Sequence, residues 1–261
     1  MKKLMIAAGM LGLIAVAGMS FSGEKPVYNK NGIKVYELKG SPDFPSAKLM
    51  LTSPANGATL PEGKSTFKFA VENYTLGMQT PDADQTMCAN SAQGQHIHFI
   101  MDNKPYKASY TTDIEDELKP GHHVLLAFLS RSYHESLKHK TSYILKEFNV
   151  GAAKDNFDEN APQIFYSRPK GEYIGDKETQ KLMLDFYLVN CDLSPKGYKV
   201  RATVNGNQFT LTKWAPYVIE GLPLGEVKVK LELLDKNDKL VNCAYNGVER
   251  TATLKKEPTA K

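Results

Sequence analysis

The chain has 261 residues, 41% hydrophobic and 24% charged, and 33 basic against 29 acidic side chains leave a formal net charge of +4. This is the composition of a soluble globular protein with room for one large domain or two ordinary ones. The near balance of charge, with no Lys/Arg run longer than two residues and no aromatic–basic interleaving, argues against a nucleic-acid partner.

Lys2 and Lys3 precede an apolar run from Leu4 to Ala17, followed by the small residues Gly18, Ser20 and Ser22. Residues 1–22 read as a secretory signal peptide cleaved between Ala17 and Ser22, the apolar run being short for a bilayer span. No other segment is apolar enough to cross a membrane as a helix. The expectation is an exported, periplasmic chain, soluble after cleavage, with peripheral outer-membrane association left open. Residues 23–46 form a polar lead-in with one strand-like run, Ile33 to Leu38, suited to an edge strand.

A repeat begins at residue 47. Leu49 to Pro54 followed by Gly57 matches Ile164 to Pro169 followed by Gly171. The alternating Phe67, Phe69, Val71 leads to Asn73 as Leu184, Phe186, Leu188 leads to Asn190. Strands opening at Gly94 and Gly197 run into the turns Asp102-Asn103 and Asn205-Gly206, strong hairpin signals. Long strands then follow Gly121 and Gly225, and Tyr143 to Val150 and Val248 to Leu254 close the copies. Closely spaced short strands with Gly, Pro and Asn between them predict an all-β chain of two tandem immunoglobulin/fibronectin-III-like antiparallel β-sandwich domains. The first spans 47–150 and the second 162–255, with 151–161 as linker and 256–261 as tail. The acidic connector Thr112 to Leu118 reads as a solvated turn with room for one helical turn.

The copies differ in one face. In the second, Glu226, Lys228, Lys230 and Glu232 alternate with Val227, Val229, Leu231 and Leu233, so one face is solvent. In the first, His122, Val124, Leu126 and Phe128 stand where the second is charged. The lead-in, the other domain or a partner must cover that apolar face.

His96 and His98, two residues apart, share the outward face of the neighbouring strand, whose start lies beside the end of the Val124–Leu129 strand. His96, His98, His134, Glu135 and Cys88 therefore gather at one rim, while His122 and His123 lie at the far end as structural residues. Two readings stay open for that rim. In the first, Arg131, Ser132, Tyr133, His134 and Glu135 bind a peptide or other anionic ligand from an envelope partner, with Arg131 taking a carboxylate or phosphate bidentately. In the second, His96, His98 and His134, with Cys88 as a sulfur donor, hold Cu or Zn. Catalysis is not expected: no G-x-S-x-G elbow exists, and no carboxylate is placed to orient a histidine base. Cys191 and Cys243 map to the same end of the second sandwich and suit a disulfide in an oxidising compartment, leaving Cys88 unpaired. Trp214-Ala215-Pro216-Tyr217 reads as core packing or an interaction patch.

Four stretches, GQHIHFIMDN from Gly94, VLLAFLSRSYHES from Val124, IFYSRPKG from Ile164 and KWAPYVIEGLP from Lys213, resemble signatures of an exported family of tandem β-sandwich proteins whose members carry the name phosphopeptide-binding protein. The resemblance runs from about Val35 to Leu254 and implies an envelope protein, often lipid-anchored, that binds rather than catalyses. This chain departs from it by lacking a cysteine after the apolar run. Ser132-Tyr133-His134 also lacks the S-x-x-H spacing of phosphothreonine readers, so no phosphopeptide site is carried over.

Overall fold

The computed structural model describes residues 25–153 and 157–258. The signal peptide and its cleavage region, part of the 151–161 segment and the last three residues lie outside them. The described residues are all-β apart from one short helix. The first copy comprises β3 (Lys48–Ser53), β4 (Thr59–Leu60), β5 (Gly63–Glu72), β6 (His96–Met101), β7 (Lys107–Ser109), β8 (Asp113–Leu118), β9 (Gly121–Ser130) and β10 (Tyr143–Val150). The second comprises β11 (Gln163–Arg168), β12 (Gly171–Ile174), α1 (Asp176–Thr179), β13 (Leu182–Val189), β14 (Lys199–Val204), β15 (Asn207–Leu211), β16 (Tyr217–Glu220), β17 (Gly225–Leu234) and β18 (Val248–Lys255). Ahead of both run β1 (Tyr28–Lys30) and β2 (Ile33–Glu37).

In the first copy the sheet β3-β5-β8 faces β4-β10-β9-β6-β7. Leu49, Phe67, Phe69, Ile114 and Leu118 from one sheet meet Ile97, Phe99, Leu125, Ala127, Leu129 and Phe148 from the other in one core. In the second copy β11-β13-β16 faces β12-β18-β17-β14-β15 around a larger core. This division of strands is that of immunoglobulin/fibronectin-III-like sandwiches. In both copies the first strand ends at a proline, Pro54 or Pro169, whose missing N–H cannot continue a ladder. The chain then crosses to the opposite sheet and pairs in parallel with the last strand, β4 on β10 and β12 on β18. Positive φ recurs at the matched hairpin turns, at Asp102 and Asn103 and at Asn205 and Gly206, the latter pair forming the two-residue turn that closes Val204 on Asn207.

Three features depart from the sequence expectation. The acidic connector is a strand rather than a turn. Ile114 and Leu118 of β8 are buried in the core while Asp113, Glu115 and Glu117 face outward, and the ladder to β5 pairs Phe67 with Ile114. The lead-in supplies two strands, not one, and both serve the second copy, since β2 pairs with β16 and β1 with β2. No disulfide joins Cys191 and Cys243. Both are free, partly buried thiols; burial, with Cys243 nearby, pushes Cys191 up to about 12, and burial likewise raises Cys243.

The second sandwich covers the apolar face of β9. Val124, Leu126 and Phe128, with Ile100 and Tyr106, pack against Phe165, Tyr187 and Val189 of β11 and β13. Phe128 stacks on Tyr187 with ring centroids 4.7 Å apart. Polar contacts stitch the same seam. The fully buried Asp185 of β13 accepts from the Ser136 N–H at 3.2 Å, the Ser136 hydroxyl at 3.1 Å and Lys138 Nζ at 2.7 Å. Trp214 belongs to this packing, donating from Nε1 to the Phe186 carbonyl at 2.9 Å and meeting Tyr187 edge-on.

Candidate metal centre

Strand alternation places His96, His98 and Ile100 of β6 on the face that meets the second sandwich, and both imidazoles are fully buried. The antiparallel ladder sets His96 opposite Ser130 and His98 opposite Phe128. The chain therefore turns just beyond His96, and that turn delivers the third imidazole. Arg131 N–H donates to the Glu135 carbonyl at 2.9 Å, closing a tight loop in which His134 takes φ of 69°, a conformation in which histidine is enriched.

The loop before β6 grips this turn. Ser132 N–H donates to Thr80 Oγ1 at 2.9 Å, Thr80 N–H returns a bond to Ser132 Oγ at 3.2 Å, and Tyr133 Oη donates to Asp82 at 3.1 Å. The loop closes on Gly94, where φ is +85° and an added Cβ would stand 2.5 Å from the Met78 carbonyl oxygen. Only glycine permits that approach.

Three ring nitrogens converge. His96 Nε2 lies 2.9 Å from His98 Nε2 and 3.0 Å from His134 Nδ1, and the three stand within 4.8 Å of one another. Outer contacts orient the rings. The Gly94 carbonyl accepts from His96 Nδ1 at 2.8 Å, which fixes the tautomer and leaves Nε2 with its lone pair facing the other two. Ser167 Oγ of β11 lies 3.3 Å from His98 Nδ1. Burial is the largest influence on each ring, holding His96 down to about 4 and His98 and His134 well below the ordinary range, so all three are neutral at pH 7.

Proton bookkeeping within the triad does not close. His96 Nε2 offers one lone pair, yet two ring nitrogens approach it at hydrogen-bond distance, and one nitrogen cannot accept fully from both. One ion receiving a lone pair from each ring removes the conflict. Nitrogens bound tetrahedrally at metal–ligand distances of about 2.0–2.1 Å stand about 3.3 Å apart, so the two short separations at His96 need to widen by only a few tenths of an ångström.

The second sandwich supplies a cationic wall. Tyr106 stacks on His98 with centroids 3.6 Å apart and 8° between planes, and its hydroxyl lies 3.2 Å from His134 Nδ1. Lys170 Nζ stands 4.2 Å from the Tyr106 ring centroid and donates to the Tyr106 carbonyl at 2.6 Å. The Arg168 guanidinium, 6% exposed, sits 5.6 Å from the same ring and donates from one terminal nitrogen to Tyr173 Oη at 2.6 Å. Its Nε is buried with no partner.

Other residues predicted at this rim are committed elsewhere. Arg131 and Glu135, both buried, pair at 2.8 Å; Arg131 also donates to the Pro42 carbonyl, and Ser41 Oγ donates to Glu135 at 2.5 Å. Ser132 and Tyr133 are fully buried in the loop contacts above. The anionic-ligand surface expected from Arg131 to Glu135 is thus interior structure, with His134 alone facing the triad. Cys88 is not among the converging ligand atoms; it packs with Leu38, Ala83, Tyr133, Met183 and Val218, and burial pushes its thiol up to about 12. His122 and His123 pair with Glu147 at 2.9 Å and Asp102 at 2.8 Å at the far end, as expected of structural histidines. Sequence reasoning missed Tyr106, Ser167, Arg168 and Lys170. The one signal for the last three was IFYSRPKG, where Ser167-Arg168-Pro169-Lys170 stands in place of Thr52-Ser53-Pro54-Ala55 of the first copy.

No known sequence family and no curated protein matches this chain, so the comparisons give no support to the phosphopeptide-binding resemblance. Solved structures do match. The fibronectin(III)-like modules of Clostridium thermocellum CbhA share 13% identity over 82% of this chain and 97% of theirs, with a TM-score of 0.29. The central fibronectin-III array of RIM-binding protein shares 13% over 84% and 72%, at 0.28. Bacteroides ovatus SGBP-B, solved with a mixed-linkage heptasaccharide, shares 14% over 79% and 47%, at 0.23. At this identity and TM-score the matches say nothing of what the chain does.

Removing one partner from the Arg131–Glu135 pair tests how firmly this turn is built. Arg131→Leu is expected to lower unfolding free energy by about 3–5 kcal/mol, because it leaves the Glu135 carboxylate buried without its cation. Arg131→Leu/Glu135→Leu should recover much of the loss. Urea melts reading under 1 kcal/mol for the single variant would contradict the geometry.

Proposed function

We propose that this protein binds a transition-metal ion of the copper or zinc class through His96, His98 and His134, and acts as a binding protein rather than an enzyme. The observation that carries this reading is the convergence of three neutral ring nitrogens, two from buried histidines and one from a half-buried one, with too few lone pairs to satisfy one another. Neutral imidazoles are the ligand form for copper and zinc, and two of these rings have the outer contacts that metal-bound histidines use to hold their orientation. His134, only partly buried, gives the ion a way in. The signal-like residues 1–22 support export to an envelope compartment, where the protein meets metal directly. Arg131, Ser132, Tyr133 and Glu135 carry no peptide reading, since their polar groups are already paired inside the fold.

The test is metal analysis of protein purified without a histidine tag and reconstituted with Cu or Zn. One equivalent per chain is expected, with affinity falling by more than about 100-fold in His96→Ala/His98→Ala. Ser167→Ala, which keeps all three ligands but frees His98 Nδ1, should weaken binding by about 10-fold while the protein stays folded. Well under one equivalent in the wild type, or equal affinity in all three proteins, would sink the reading.

A further inference from the structure

The triad and the cationic wall beside it come from different sandwiches, and their charges decide which ion is held. We propose that the ion is monovalent copper, Cu⁺, favoured over divalent ions by Arg168 and Lys170; this rests on the metal reading above and specifies it.

Three neutral imidazoles contribute no charge. A divalent ion therefore keeps its full +2 in a buried site unless an acid answers it, and the converging group contains no carboxylate. What faces the triad across Tyr106 has the wrong sign for a dication. Lys170 stands over the Tyr106 ring at 4.2 Å while His98 stacks on it at 3.6 Å; the two cannot share one side, so a single ring separates them. Arg168 lies against the same ring and is buried. Among the described residues no carboxylate pairs with Arg168, Lys170 or Arg250; Arg250 spends its donors on the Tyr166 and Asn103 carbonyls. A buried guanidinium ordinarily has an anionic partner. Here the fold keeps it on aromatic faces, leaves its Nε unpaired and turns its field on the histidines.

The consequence can be sized. Each cation on the order of 10 Å away, at an effective dielectric of about 20, penalises a second unit of charge on the ion by roughly tenfold in affinity. Two cations give roughly a hundredfold preference for +1 over +2. Cu⁺ meets that condition and accepts three-coordinate nitrogen ligation, whereas Zn²⁺ does not shed charge.

Affinities are measured on the full mature chain under anaerobic conditions, Cu⁺ against bathocuproine disulfonate and Zn²⁺ against 4-(2-pyridylazo)resorcinol. The wild type is expected to hold Cu⁺ at least a hundredfold more tightly than Zn²⁺. Lys170→Met, at a half-buried position, should strengthen Cu⁺ binding by about tenfold and Zn²⁺ binding by about a hundredfold, so that the Cu⁺/Zn²⁺ ratio narrows by about tenfold. Arg168→Gln should do the same, and Lys170→Met serves alone if that variant does not fold. Equal affinity for the two ions, or a ratio unmoved by Lys170→Met, overturns the selection by charge while leaving a metal site in place. Failure to bind either ion overturns the metal reading itself.

Discussion

Acidifying the metal-free protein from about pH 7 to about pH 4.5 is expected to remove roughly 2–3 kcal/mol of stability through His96 alone. Burial, reinforced by Arg168 and Lys170, holds this ring at about 4 in the folded chain, against about 6.5 when unfolded. Between those values the unfolded chain takes up a proton that the native chain refuses, so the contribution is complete above pH 6.5 and fades as pH falls towards 4. His98 and His134 are shifted in the same direction and add to the effect. Glu135, which burial raises, works in the opposite sense, so a bare pH profile mixes signs. The clean measurement compares urea midpoints of wild type and His96→Gln at both pH values. The acid-induced loss should be smaller in the variant by about 2–3 kcal/mol; identical losses would mean that His96 titrates as an ordinary surface histidine.

The second large effect lies at the seam between the sandwiches. Phe128→Ala is expected to cost about 3–5 kcal/mol, because its ring is fully buried and fills a face-to-face stack on Tyr187. On the matching strand and face of the second copy, the counterpart of Val124 gives the contrast: Lys228→Ala, exposed to solvent, should change stability by less than about 0.5 kcal/mol. A thermal melt in which the two substitutions have similar effects would remove β9's outer face from the stabilising interior.

Much of this was legible in the residues. Period-two alternation and the matched turns set out the strands of both copies, and the same alternation separated Val124, Leu126 and Phe128 from the core-facing Leu125, Ala127 and Leu129. Antiparallel register then brought His134 to His96 and His98, because a ladder that pairs His96 with Ser130 must turn just beyond them. β8 escaped because Ile114 and Leu118 are diluted by acidic neighbours, and only pairing with β5 makes the segment a strand. The rim reading of Arg131 to Glu135 failed for a related reason. Whether a serine or arginine in a turn faces solvent depends on what the loop before β6 lays over it, and Thr80 and Asp82 are distant in sequence. Cys191 and Cys243 were placed at one end of a sandwich, but sharing an end does not bring two sulfurs into bonding geometry. Arg168 and Lys170 were unreadable as site residues, since no pattern within one copy says which face of the other it meets.

The lead-in carries a further consequence for how the chain is made. Val35 in β2 pairs with Ile219 in β16, so the start of the described chain must wait for the far end before its edge is complete. A fragment holding only the second copy would expose β16 as an open ladder, with Tyr217, Val218 and Ile219 available to any other strand. Emerging ahead of both copies and seated last, residues 28–37 act as an intramolecular guard strand, and trimming them should turn a self-contained sheet into a sticky one.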